Sequence, residues 1–305
     1  MSNLATALLP IFLLILAGAA MARTGFPGEG FWGPVDRAVY YVFFPAVLVR
    51  TLAMADFSSF NPLPLMAALW GGLLILGLGL LLTRQRIFRD GPAFTSVFQG
   101  ALRFNTFVGL GVVNGLYGRD GLVYFAVAVA ACVPLLNLVS ILALARHGVR
   151  EVSLTWQDQA KLVARNPLLL ACLIGIGINL SGMPRPAAAV AFLEVLGRPT
   201  ETLGLLTVGA GLNLTLLRQA RANLIVSCTL RLIVLPVLIA GTTWLFGLSG
   251  MARTIAILWA SLPTASSAYI LARQMGGDAP LMAGIVTAQT LGAFATIPLM
   301  LALLG

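Results

Sequence analysis

Residues 261–277 read SLPTASSAYILARQMGG. The stretch lies in a long apolar run, the composition of a helix crossing lipid, yet within residues 263–269 it carries Pro263 and four hydroxyls, on Thr264, Ser266, Ser267 and Tyr269. Proline lacks an amide hydrogen and clashes with the preceding turn. A backbone group freed in hydrocarbon must find protein or water. The stretch therefore asks for a chain that is membrane-embedded and locally opened. Composition agrees: 59% of the 305 residues are hydrophobic, 10% are charged, and the mean hydropathy is +0.96. A soluble domain carries about 25% charged residues, so this chain cannot cover a soluble surface. The class is an all-α polytopic membrane protein with no soluble second domain.

Working outward, apolar runs predict ten spans at about 4–22, 35–55, 63–83, 93–117, 121–145, 166–182, 200–217, 223–247, 252–274 and 279–304. Each can cross about 30 Å of hydrocarbon as a helix. Residues 186–197 are too short to span and read as an amphipathic lead-in to the seventh. The first run has no basic leader and reads as a span rather than a cleaved signal. The net charge of +9 is assigned to loop residues that set orientation, not to nucleic acid. Thirteen basic residues fall on the odd-numbered loops and their flanks: Arg23, Arg37, Arg84, Arg86, Arg89, Arg103, Arg146, Arg150, Lys161, Arg165, Arg218, Arg221 and Arg273. Five fall on the even-numbered side: Arg50, Arg119, Arg185, Arg198 and Arg253. The positive-inside rule puts the first set in the cytoplasm and, with ten spans, both termini outside.

The chain also repeats. A shift of 157 residues sets TGFP (24–27) on SGMP (181–184), with Gly25 on Gly182 and Pro27 on Pro184; a shift of 158 sets Gly118 on Gly276 and Asp120 on Asp278. Five spans per half is an odd number, so the halves, 1–145 and 166–305 about a cytoplasmic linker 146–165, are expected to be inverted. Such repeats are a transporter architecture with the site at the midplane. The same register sets NTFVGLG (105–111) against LPTASSA (262–268). Gly109 and Gly111 favour local unwinding in the one, Pro263 in the other. Broken helices expose amide groups at new N-termini, and these with the helix dipole attract anions. Asn105, Thr106, Thr264, Ser266, Ser267 and Tyr269 can line such a cradle.

Asn137, beside Pro134 in span 5, serves equally as a substrate ligand or an interhelical tie. Asn213 and Gln289 are weaker candidates of the same kind. Arg231, inside span 8, is read as reaching a carbonyl or the interface, with attraction for an anion as the alternative. Cys132, Cys172 and Cys228 read as small buried hydrophobes, and His147 as solvated in a loop. No acidic residue lies near the middle of a span, which weakens an intramembrane carboxylate relay. No nucleotide-binding motif, metal-ligand cluster or catalytic triad spacing appears, so an enzyme is not expected.

The stretch 262–304, LPTASSAYILARQMGGDAPLMAGIVTAQTLGAFATIPLMLALL, resembles the C-terminal spans of the auxin efflux carrier family, especially its bacterial members. NPLLLACLIGIGINLSGMPRPAAAVAFLEVLGRPTETLGLLTVGAGL is similar to that family's sixth and seventh spans, FNTFVGLGVVNGLYG to its fourth, and VPLLNLVSIL to its fifth. The resemblance implies ten helices in two inverted five-helix repeats, with broken helices 4 and 9 crossing at the substrate site, a fold related to that of bile-acid sodium symporters. It implies a secondary transporter of small organic anions such as carboxylates, an exporter or exchanger, in a bacterial cytoplasmic membrane, often a homodimer through scaffold helices. By position, Asn105 matches the asparagine near the substrate carboxylate and Pro263 the crossover proline. Many members have proline where Gly111 stands, and the long cytoplasmic loop of plant members is absent here. No cofactor is implied. Coupling to protons or to sodium is left open, a sodium-coupled symporter of the bile-acid type being the alternative.

Overall fold

A computed structural model describes residues 2–28, 30–56, 61–88, 90–149, 157, 161, 164–218 and 221–305. Among these, all regular structure is helical. In chain order the helices are α1 (Ser2–Arg23), α2 (Trp32–Ala38), a π turn (Val39–Phe43), α3 (Phe44–Ala53), α4 (Pro62–Ile87), α5 (Gly91–Leu102) and α6 (Thr106–His147, interrupted at Gly118). There follow α7 (Pro167–Leu180), α8 (Ala187–Gly197), α9 (Pro199–Ala210), a 3₁₀ turn (Leu214–Arg218), α10 (Arg221–Thr229), a second π turn (Leu230–Val234) and α11 (Leu235–Leu245). The chain ends in α12 (Gly250–Ser261), α13 (Ser267–Met275) and α14 (Ala279–Leu304). Each π turn runs into a proline, Pro45 or Pro236, at the start of the next helix. A wider turn accommodates the missing amide and the ring without ending the helix.

Four segments among the described residues are long and apolar enough to cross a membrane: Pro62–Arg86, Gly91–His147, Ala222–Leu245 and Ala279–Leu304. Leu8–Arg23 and Pro167–Leu180 are shorter apolar helices. The 26 residues of α14 extend about 39 Å at 1.5 Å per residue, enough for a bilayer core. The expected linker 146–165 falls for the most part on residues outside the described set.

The helices gather into two compact units. The first comprises 1–62, 107–134 and 161–211. Here α1 and α9 approach closely: a Cβ on Gly18 would collide with the Leu206 carbonyl, and one on Gly209 with the Ile15 carbonyl. The end of α3 is closed by Asn179, whose Nδ2 donates to the carbonyls of Leu52 (3.0 Å), Ala53 (3.1 Å) and Ala55 (2.7 Å). Carbonyls at a helix end lack the full intrahelical set of donors, and a side chain from α7 supplies one here, the Leu52 oxygen also accepting from the Ala55 amide at 3.3 Å. Asn166 caps α7, accepting from the amides of Leu168 and Leu169 at 3.0 and 3.2 Å. Arg50 of α3 pairs with Glu194 of α8 at 2.7 Å.

The second unit comprises 63–106, 135–160 and 212–305. It contains both helix breaks that the sequence anticipates, one of them displaced. In span 9 the helix stops after Ser261 and restarts at Ser267, as Pro263 predicts. In span 4 the expected unwinding at Gly109 and Gly111 is not found: both lie inside continuous helix, and the break is at residues 103–105. Gly111 instead serves packing within the first unit, where an added Cβ would meet Leu205 at 3.3 Å and Glu201 Cγ at 3.6 Å. Span 7 also departs from the expected single helix over 200–217. It leaves α-helix after Ala210 and resumes as the 3₁₀ turn.

Candidate functional site

The site is built on the two breaks, all of it within the second unit. Helices α5 and α12 each end in a residue of extended backbone, Arg103 (φ −71°, ψ 154°) and Leu262 (φ −67°, ψ 145°). The breaks bond to each other directly: the Asn105 amide donates to the Pro263 carbonyl at 2.7 Å. The rings of Phe104 and Trp259 lie 4.8 Å apart between centroids.

Two side chains from neighbouring helices hold this junction. Arg231, on the second π turn and fully buried, donates Nε to the Leu262 carbonyl (2.6 Å), Nη1 to that of Leu102 (3.1 Å) and Nη2 to that of Trp259 (3.0 Å). Its guanidinium also sits 5.3 Å from the Trp259 ring centroid. A cation placed at two helix C-termini answers both their unpaired carbonyls and their negative dipole ends. Of the readings open in the sequence, the carbonyl ligand is the one realised. Gln289 of α14 is the second tie. Its Oε1 accepts from the Thr264 amide (2.9 Å), and its Nε2 donates to the Gly100 carbonyl (3.0 Å) and to Ser227 (3.1 Å). Both residues are therefore framework.

The polar face of the junction is formed by Arg103, which hydropathy groups with the cytoplasmic loop residues. It lies at the α5 break, half-buried, with Nη1 donating to Asn137 Oδ1 and Nη2 to Ser267 Oγ, each at 3.0 Å. Hydropathy alone misplaces it, because a charge that ends one half-helix looks like a charge that ends a span. The signal that could have found it is its position two residues before Asn105, inside an apolar run. Without it, twelve basic residues still stand against five, so the expected orientation is unchanged.

Arg103 joins three elements, α5, the closing stretch of α6 and α13, and so brings together Asn137 and Ser267 from the expected set. Asn105 is 2% exposed, and Thr106 opens α6 beside it. Ser266 precedes α13 and makes no side-chain cap. Its hydroxyl, and that of the fully buried Thr264, are buried without a hydrogen-bond partner among the described residues. Tyr269 sits in the first turn, its amide donating to the Ser266 carbonyl at 3.1 Å. Gly109 and Gly111 belong to the first unit. Thus the guanidinium at one break reaches the start of a nine-residue helix at the other, which also carries two hydroxyls unpartnered among the described residues, an arrangement suited to an anion.

Comparison with known proteins agrees with a transport architecture. A curated protein of Methanothermobacter thermautotrophicus described as an uncharacterized transporter is 26% identical over 296 residues, covering 95% of each chain. The family model described as membrane transport protein matches residues 4–301, so the chain belongs to that family, the one that includes the auxin efflux carriers.

Proposed function

We propose that this protein is a secondary active transporter of small organic anions, carboxylates above all, whose substrate seats at the paired helix breaks. The observation that carries this reading is Arg103, held by Asn137 and Ser267 beside the uncapped start of α13. A carboxylate at that point gives the guanidinium an ionised acceptor in place of neutral ones, and its two oxygens match the planar fork of N–H donors. It also supplies acceptors to the hydroxyls of Thr264 and Ser266. Asn105, Thr106 and Tyr269 complete the lining, while Gly109 and Gly111 lie in the helix that follows, Gly111 packing against Leu205 and Glu201.

Release requires the breaks to face each side of the bilayer in turn, by an elevator-like or rocking movement. Ten spans in two inverted repeats, 1–145 and 166–305, suit that cycle. Glycines matched by the repeat all have positive φ: Gly25 and Gly182 at 76° and 64°, and Gly118 and Gly276 at 56° and 76°, the last two with different ψ, −145° and 29°. In this reading the protein works in the bacterial cytoplasmic membrane with both termini outside, exporting or exchanging its substrate, as a homodimer through scaffold helices. Coupling is to protons or to sodium, the sodium-coupled symporter being the alternative reading; the carbonyls of Leu102, Leu262 and Pro263 at the junction already accept from Arg231 and Asn105.

Efflux or uptake of labelled carboxylates in reconstituted vesicles, with and without a sodium gradient, tests the reading. Transport by wild type that fails in Asn105→Ala and Pro263→Ala is expected. Unchanged transport in both variants would reject the site.

A further inference from the structure

A second feature of the second unit lies away from the helix breaks. A groove of about 960 Å³ runs between α4 and the closing turns of α6, floored by Phe98 and Leu102 of α5. Its walls are leucine-rich, with Leu74, Leu78, Leu82 and Leu142 exposed at 47%, 56%, 83% and 46%. Such a wall in a membrane protein meets acyl chains. The specific information is at one end.

That end is basic. Arg84 and Gln85, from the last turn of α4, and Arg146 and His147, from the last turn of α6, line it, and no Asp or Glu among the described residues does. Phe94 gathers the mouth: the Arg84 guanidinium stacks 5.6 Å from its ring centroid, and the His147 ring meets it edge-on at 5.5 Å. His147, expected to be solvated, is thus half-buried against an aromatic ring. The Nε of Arg84 is buried without a hydrogen-bond partner among the described residues. The nearby carboxylate of Asp90 is engaged as the α5 cap, accepting from the Ala93 amide at 3.2 Å. Helix C-termini attract cations, which accounts for arginines here but not for a continuous apolar trough leading away from them.

We infer that this groove is a binding site for one anionic phospholipid, its acyl chain along the leucine wall and its phosphate at Arg84, Arg146 and His147. Charge complementarity selects the occupant. Basic pockets between membrane helices on the cytoplasmic side bind anionic headgroups, and the arginine distribution puts this mouth on that side. The inference is independent of the transported substrate.

The test is thermal unfolding of the purified full-length protein in neutral detergent, with added phosphatidylglycerol, phosphatidylcholine or glycerol 3-phosphate. Phosphatidylglycerol is expected to raise the midpoint by several degrees, and the other two by little. Arg84→Gln and Arg146→Gln should each lose at least half of that rise. Arg86→Gln, a basic neighbour outside the groove, should keep it. Because Arg146 is exposed, its variant remains informative if Arg84→Gln does not fold. An equal rise with phosphatidylcholine, a full rise with glycerol 3-phosphate alone, or an equal loss in Arg86→Gln would overturn the assignment.

Discussion

Arg103 decides the chemistry of the junction through three properties of its side chain. It stays charged at any accessible pH, it presents donors in a planar fork, and it reaches Asn137 and Ser267 at once. A lysine offers a point charge without the fork. Arg103→Gln is therefore expected to lower transport at least 100-fold with folding preserved, and Arg103→Lys to retain a minor fraction with a raised KM. Vesicle flux together with the unfolding midpoint separates this from general damage. The residue scale is also the least legible in the sequence. Asn105, Pro263 and the hydroxyls at 264–267 announce themselves as polar groups in an apolar run. Arg103 does not, because a charged residue near the edge of a hydropathy window is taken for a loop residue.

At the scale of elements, the breaks persist because their freed carbonyls are answered. Arg231 serves Leu262, Leu102 and Trp259, and an unsatisfied buried group costs about 1–3 kcal/mol. Arg231→Met should therefore lower stability by about 3 kcal/mol or more, read as a fall in the unfolding midpoint of detergent-purified protein. An unchanged midpoint would refute its role as the tie. The α1–α9 contact makes a separate prediction. Gly209→Leu must displace the Ile15 backbone, and overpacking of this kind costs about 1–3 kcal/mol, again seen in the midpoint. The α12–α13 break is legible in the sequence because proline dictates it locally. The α5–α6 break is misplaced there because glycines permit unwinding without requiring it. At 103–105 the backbone opens because partners far along the chain, the Pro263 carbonyl and the Ser267 hydroxyl, reward it, and no local pattern records those.

At the scale of the whole molecule, composition and periodicity are enough for the class: an apolar, helical membrane protein of a transport family. The count of crossings is less legible, since breaks and π turns divide spans that hydropathy joins. Orientation is open to direct test. A single cysteine added after Gly305 should react with a membrane-impermeant maleimide in intact cells, and labelling only after lysis would invert the topology. The central claim is that an anion seats on Arg103 at the paired breaks. A ligand bound only to the folded state stabilises it by about 2.7 kcal/mol at 100 times its Kd, so unfolding reports binding whichever anion is the substrate. The decisive measurement is a thermal-shift screen of wild type and Arg103→Gln against mono- and dicarboxylates, indole acids, amino acids and the matching neutral amides. At least one carboxylate is expected to raise the wild-type midpoint, its amide to leave it unchanged, and Arg103→Gln to lose the response. Stabilisation by no anion, or an equal response in Arg103→Gln, would contradict the central claim.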